Sequence, residues 1–342
     1  MARLSCFRAL SASSFLLVAG SVKTYAQMSA PLVGMIAGQG QTRNQIQPVV
    51  GVLGASTVLA PIALGTNLLR VDLAPSGAWA LIERRGQAPG LMTFTGITPG
   101  EVQAIAGVSP NPVRVSFSPT GKSAALSFSN GAIQVLTGLN GTPKMDYQTE
   151  FSDPAGMSAL AVSDDGTVVA AVTGAGMVYV LGNSASQSLA YSGSRSLGIA
   201  FLPNQSTAVF ADGGSGTVSL CRMAGGSPSV QTVSSVSFSG SEVLVEASLD
   251  GGAAFLVTPG NTAAYRIDLS SGATQSTTLP VAATRLDRLR DGNSFVVSAE
   301  AGKPAWFLTG NGSSLQAIFA ANPGVRSPLA RRSMAREEQV HD

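Results

Sequence analysis

Hydrophobic positions along the chain come in short paired runs rather than in long stripes. Six times an apolar segment, a tight turn and a second apolar segment follow one another: VDLAPSGAWALI, VSFSPTGKSAAL, LAVSDDGTVVAAV, IAFLPNQSTAVF, VEASLDGGAAFLV and LDRLRDGNSFVV. Aligned on one turn residue, the copies anchor at Gly77, Gly121, Gly166, Gln205, Gly251 and Gly292, separated by 44, 45, 39, 46 and 41 residues. Six residues before the anchor stand Val71, Val115, Leu160, Ile199, Val245 and Leu286; four before it stand Leu73, Phe117, Val162, Phe201, Ala247 and Arg288. One face of this segment is apolar at every second position, which is the alternation of a β-strand. The turns hold Pro, Asp, Asn and Gly, which preset φ, bond their own backbone or take left-handed conformations, and so predict hairpins. After the turn, runs such as Ala124-Ala125-Leu126 and Val169-Ala170-Ala171 are apolar on both faces. They predict strands covered on both sides.

Weaker strands follow each hairpin, for instance at 131–137, 177–181, 216–220, 262–269 and 304–309. Four antiparallel strands per unit, repeating every 40–45 residues or so, make the blade of a β-propeller. The expected fold is therefore all-β, a propeller of six or seven four-stranded blades over residues 27–324. Before the first anchor, LVGMIA and QIQPVVGV read as two outer strands of a blade lacking its inner pair, which close the ring by pairing near the C-terminal unit. Gly at 39 and Pro at 18 positions leave no long stretch of helical period.

Outside the repeats, the first 26 residues read as a basic segment, an apolar stretch around FLLVAG and a Thr-Tyr-Ala end, the three parts of a secretory signal peptide. The stretch carries serines and is shorter than the roughly 20 apolar residues of a membrane span. The mature protein is expected to be a soluble monomer in the periplasm or secreted. Residues 325–342 gain charge and lose the strand pattern, as in a disordered tail. Cys6 leaves with the leader, so Cys221 stands alone in the apolar run TVSLCRM and reads as a small buried strand residue.

Ser118-Pro119-Thr120-Gly121 and Ser163-Asp164-Asp165-Gly166 carry a resemblance to the WD-like and YVTN-type β-propeller repeats of exported bacterial proteins. The inner hairpin of those repeats reads roughly apolar-x-apolar-S-x-D-G-x-x-apolar-apolar, and the resemblance covers about residues 30–320. The Gly-His and Trp-Asp dipeptides of eukaryotic WD repeats are absent. The resemblance implies a ring scaffold that binds proteins, peptides or small ligands, and a minority of similar propellers are lactonases or other enzymes. Fold alone does not choose among these.

Charge narrows the chemistry. Lys and Arg number 21 against 19 Asp and Glu, and three of the positives lie in the leader, so binding of nucleic acid through bulk charge is not expected. The one histidine, His341, sits two residues from the end, which leaves no base for a Ser-His-Asp or Cys-His nucleophile. The alignment itself supplies the candidate site. Seven before the anchor stand Arg70, Arg114 and Arg285, and five before it Asp72, Ser116, Glu246 and Asp287, all on the strand expected to be innermost. In one reading the three arginines line a mouth of the central channel and bind an anion or a partner's acidic side chain. In the other, Arg70 with Asp72 and Arg285 with Asp287 satisfy each other or the next blade. Asp72, Glu246 and Asp287 also form a candidate set of oxygen ligands for Ca²⁺, opposed by the adjacent arginines. The paired Asp164-Asp165 reads as turn chemistry, Trp79 and Trp306 as core, and Arg288 and Arg290 as solvated edge residues.

Overall fold

The computed structural model describes residues 30–182, 187–194, 197–223, 228–237, 242–300, 303–311 and 314–322. The signal peptide and the charged tail read from the sequence lie outside the described residues. Seven four-stranded antiparallel sheets form seven blades of a propeller. Blade 1 comprises β1 (Leu32–Ala37), β2 (Gln45–Val52), β3 (Ala55–Val58) and β4 (Ile62–Ala63); blade 2 comprises β5 (Leu68–Leu73), β6 (Trp79–Arg84), β7 (Gly90–Thr95) and β8 (Thr98–Ala104). Blade 3 holds β9 (Arg114–Phe117), β10 (Ala124–Ser127), β11 (Ala132–Thr137) and β12 (Lys144–Glu150), and blade 4 holds β13 (Met157–Val162), β14 (Val168–Thr173), β15 (Met177–Gly182) and β16 (Gln187–Ser192). Blade 5 holds β17 (Leu197–Phe201), β18 (Thr207–Asp212), β19 (Thr217–Arg222) and β20 (Ser229–Ser235), and blade 6 holds β21 (Leu244–Ala247), β22 (Ala253–Val257), β23 (Ala263–Asp268) and β24 (Thr274–Thr278). Blade 7 is β25 (Asp287–Arg288), β26 (Ser294–Ser298), β27 (Ala305–Asn311) and β28 (Ser314–Ala320).

The second strand of each repeat is buried on both faces because each face belongs to a different interface. Ala124 and Leu126 pack toward blade 2, whereas Ala125 of the same strand packs toward blade 4. One apolar cluster lies at each blade boundary, from Met35, Ile46 and Val71 between blades 1 and 2 round to Ile36, Val49 and Phe307 between blades 7 and 1. Such burial, at about 25 cal/mol per Å² of apolar surface, supplies the cohesion of the ring.

The hairpins share one device. In Ser118–Ser123, Ser163–Val168 and Ser248–Ala253 the serine hydroxyl accepts from the backbone N–H five residues on, while the fourth residue's N–H donates back to the serine carbonyl. That fourth residue is a left-handed glycine at Gly121, Gly166 and Gly251. In blade 5 the anchor is Gln205, and the left-handed position moves one residue earlier to Asn204, whose φ is 55°. Asparagine tolerates that region because its short side chain bonds locally.

Blade 1 departs from the expectation. LVGMIA and QIQPVVGV are not outer strands awaiting an inner pair, since β1 is itself innermost, with β2 next to it and β3 and β4 sharing the far edge of β2. Val33 O accepts from the N–H of Arg290, just after β25, while Ala37 O accepts from Arg285 Nη1, just before it. β1 therefore runs against the inner strand of blade 7. The ring closes without a shared sheet, by one parallel bridge between Thr57 and Ala321 in which Val58 N–H donates to Ala321 O at 2.9 Å. Blade 1 lacks the repeating hairpin pattern because its reversed inner strand does not present that pattern in the same order.

Candidate functional site in the central channel

The inner strands bring five of the six residues singled out from the sequence to one chamber. Arg70, Asp72, Glu246, Arg285 and Asp287 line a cavity of about 620 Å³, together with Arg43, Arg288 and Arg290. Arg114, the sixth, lines a second cavity of about 400 Å³ that shares Ile199, Glu246 and Leu286 with the first. It is exposed, and its side chain has no hydrogen-bond or ion-pair partner among the described residues.

Geometry favours the reading in which the strand-face charges satisfy one another and the next blade. Arg70 Nε donates to Asp72 Oδ2 at 2.7 Å and its Nη1 to Val113 O of blade 3 at 3.2 Å. Arg285 pairs with Asp287, and its Nη1 donates to Ala37 O of blade 1 at 3.1 Å. The same two-residue spacing thus gives the same construction twice: an arginine held by the aspartate two residues on and fastened to a neighbouring carbonyl. Glu83, on β6, adds a second carboxylate 3.9 Å from Arg70.

Arg288 was expected at a solvated edge and is instead the most enclosed charge of the channel, its side chain 3% exposed. From blade 7 its Nη2 donates to Glu246 Oε2 at 2.9 Å and to Ala247 O of blade 6, while Nη1 donates to Pro119 O of blade 3. Its guanidinium carbon lies over the Phe295 ring, 6.0 Å from the centroid. The alignment showed Arg288 only as the exception to an apolar position, and that exception was the available signal of a buried role. Arg290 is exposed, as expected.

Burial acts on the channel carboxyls more strongly than the arginines do. It pushes Asp72 up to about 6 against the lowering effect of Arg70, and it raises Glu246 against Arg288. Glu83 is raised for the same reason. Among the described residues no group of three or more His, Cys, Asp or Glu side chains is arranged to hold a metal ion. Asp72, Glu246 and Asp287 each face an arginine, so the oxygen set considered for Ca²⁺ is neutralised one carboxylate at a time. Cys221 is fully buried, and burial pushes its thiol up to about 11, away from the reactive thiolate.

At the turn end of the channel Asp164 does more than make its own turn. Its Oδ1 accepts from the N–H and hydroxyl of Thr120 in blade 3, and its Oδ2 from the N–H of Asn204 ahead of the blade 5 hairpin strand. Asp165 is the residue that behaves as the turn chemistry predicts, accepting from Ser163 and Thr167. Trp79 lies in the core against Phe117, edge to face at 5.0 Å, whereas Trp306 is only partly buried and lies tilted against the exposed Phe319. No helix among the described residues is long and apolar enough to cross a membrane.

No family model matches the chain, and no curated protein matches it in sequence. Solved structures do match its fold. A protein of unknown function from Desulfotomaculum acetoxidans aligns with a TM-score of 0.58 at 13% identity, covering 85% of this chain and 100% of that one. Hydrazine synthase of Kuenenia stuttgartiensis aligns with a TM-score of 0.53 at 12% identity over 90% of this chain and 99% of that one. A provisionally assigned 6-phosphogluconolactonase of Bacteroides fragilis aligns with a TM-score of 0.55 at 15% identity over 86% and 96%. These likenesses show a β-propeller and no more, since one fold hosts unrelated functions.

Proposed function

We propose that the chain is an exported, monomeric, non-enzymatic binding module built from WD-like or YVTN-type repeats, which takes up a protein or a small ligand at the channel. One observation carries the reading: the carboxylates of the channel chamber are each taken up by an arginine, in the pairs Arg70–Asp72, Arg285–Asp287 and Arg288–Glu246. Each of these carboxylates is held by a guanidinium that competes with an added cation for its oxygens. The competing reading, a hydrolase or lactonase with a channel-bound divalent cation, shares the fold but draws on those same paired carboxylates.

The test is native mass spectrometry of the protein purified from its own compartment, alongside a lactone and ester hydrolysis panel with added Ca²⁺. The expected result is a stoichiometric partner or ligand and no turnover. Cation-dependent hydrolysis abolished by Asp72→Ala overturns the proposal.

A further inference from the structure

The chamber holds more arginine than its own carboxylates use. Arg43, Arg70, Arg285, Arg288 and Arg290 face Asp72, Glu246 and Asp287, and the three acids pair one to one with Arg70, Arg288 and Arg285. The surplus is Arg43 and Arg290, both exposed and without a side-chain partner among the described residues.

These two lie at opposite ends. Arg290 follows β25 at the turn end, whereas Arg43 follows the reversed β1, whose last residue Ala37 meets Arg285 at the other mouth. Blade 1 stands between blades 7 and 2, so the mouth beside Arg43 is flanked by Arg285 on one side and Arg70 on the other. Both flanking guanidiniums are fixed, each by an aspartate and a neighbouring carbonyl, and Arg70 Nη2 still lacks an acceptor. Arg43 has no such restraint, being fastened only through its backbone N–H to Gly40 O.

We propose that this mouth binds a small molecule bearing two or more anionic oxygens, a polycarboxylate or a phosphate ester, with Arg43 as its direct ligand and Arg70 and Arg285 as fixed positive walls. A planar guanidinium fork meets a carboxylate or phosphate with two parallel bonds. A concave site focuses the field of its charges. At about 620 Å³ the chamber falls in the range of small-molecule pockets. Asp72 tunes the site: Arg70, Glu83 and Asp287 face it, and with its carboxyl pushed up to about 6, mild acid removes a negative charge from beside Arg70. For an anion whose own charge is constant over that range, affinity therefore rises as pH falls through that value.

This inference rests on the binding-module reading and adds the ligand's chemistry. The experiment is isothermal titration of the purified protein with citrate, pyrophosphate and, as a neutral control, glycerol, at an ionic strength of about 0.15 M, where long-range attraction is screened. Saturable 1:1 binding of at least one anion is expected, and the stronger of the two identifies carboxylate or phosphate as the group recognised. Arg43→Ala weakens binding by about tenfold or more, as loss of a charge-assisted bidentate contact requires, and Arg43→Lys weakens it less. Arg85→Ala, an exposed arginine on the β6–β7 turn, leaves affinity unchanged. Binding of neither anion, or binding that Arg43→Ala leaves intact, overturns the inference. If anions fail while a protein segment or neutral ligand is taken up, only this inference falls; if lactone hydrolysis is found, the binding-module reading falls instead.

Discussion

Replacing Arg288 by alanine removes a side chain that joins three blades, and the size of the loss follows from what it leaves behind. Glu246 loses its cation at 2.9 Å, and the carbonyls of Pro119 and Ala247 lose their donor. Breaking a buried ion pair from one side costs about 3–5 kcal/mol, a figure that already contains much of the carbonyl term. Because the Glu246 side chain keeps 34% of its exposure, the lower half of that range, about 3–4 kcal/mol, is expected near neutral pH. The pH dependence is the sharper part. Burial already raises Glu246 in the folded protein, and without Arg288 it rises further. A carboxyl with a raised folded-state pKa takes up a proton on folding, so stability lost at neutral pH returns as pH falls. The Arg288→Ala loss must therefore be smaller at about pH 5 than at about pH 7.5. The double variant Arg288→Met with Glu246→Gln, which removes both charges, returns to within about 1–2 kcal/mol of the parent. Urea unfolding followed by fluorescence of the two tryptophans, Trp79 and Trp306, reads all three. A loss under about 1 kcal/mol, or one equal at both pH values, refutes the idea that a buried guanidinium ties the channel.

Three further outcomes follow from the geometry. Asp164→Ala removes the acceptor of three hydrogen bonds to two other blades and costs about 2–4 kcal/mol in the same urea titration, Asp164→Asn less. Gly292→Ala places a Cβ 2.4 Å from Leu249 Cβ at a φ of +80°, so melting temperature falls, whereas Asn204→Gly at φ 55° changes it little. Asp72, raised from 3.8 to about 6, favours folding below its unfolded value, and that contribution, up to about 3 kcal/mol, is lost as pH rises through about 6. Melts of Asp72→Asn against the parent across that window show the parent losing more stability with rising pH than the variant, which keeps the raised Glu83 and Glu246; parallel curves refute it.

Legibility in the sequence tracked burial. The first and second strands of six blades could be read because Val71, Val115 and their equivalents repeat at fixed offsets from a turn, and third strands such as β15 lay within a residue or two of the expectation. The outermost strands carry no such signal: β20 exposes residues on both faces, β24 is exposed on one face and only partly covered on the other, and both read as polar runs, SVQTVSS and TQSTT. Of the site, Arg70, Asp72, Arg285 and Asp287 were visible as aligned charges, and their pairing on one strand face was foreseeable from the two-residue spacing. Arg43 was not, because it follows the reversed strand and has no counterpart in the repeats. Which partner Arg288 finds depends on three blades meeting, and no local pattern encodes that.

The bridge that closes the ring also sets when the ring can be completed. Arg285 and Ala37, joined across the seam, are 248 residues apart, and Thr57 meets Ala321 at a similar separation. Contacts this remote carry the largest loop-closure entropy in the molecule, and they form only when the last blade exists. Until β27 and β28 are synthesised, the faces of Ile36, Val49 and Val58 have nothing to pack against. During synthesis, therefore, the face of blade 1 that packs on blade 7 stays uncovered until the last blade is made, which makes it the nascent surface most open to aggregation.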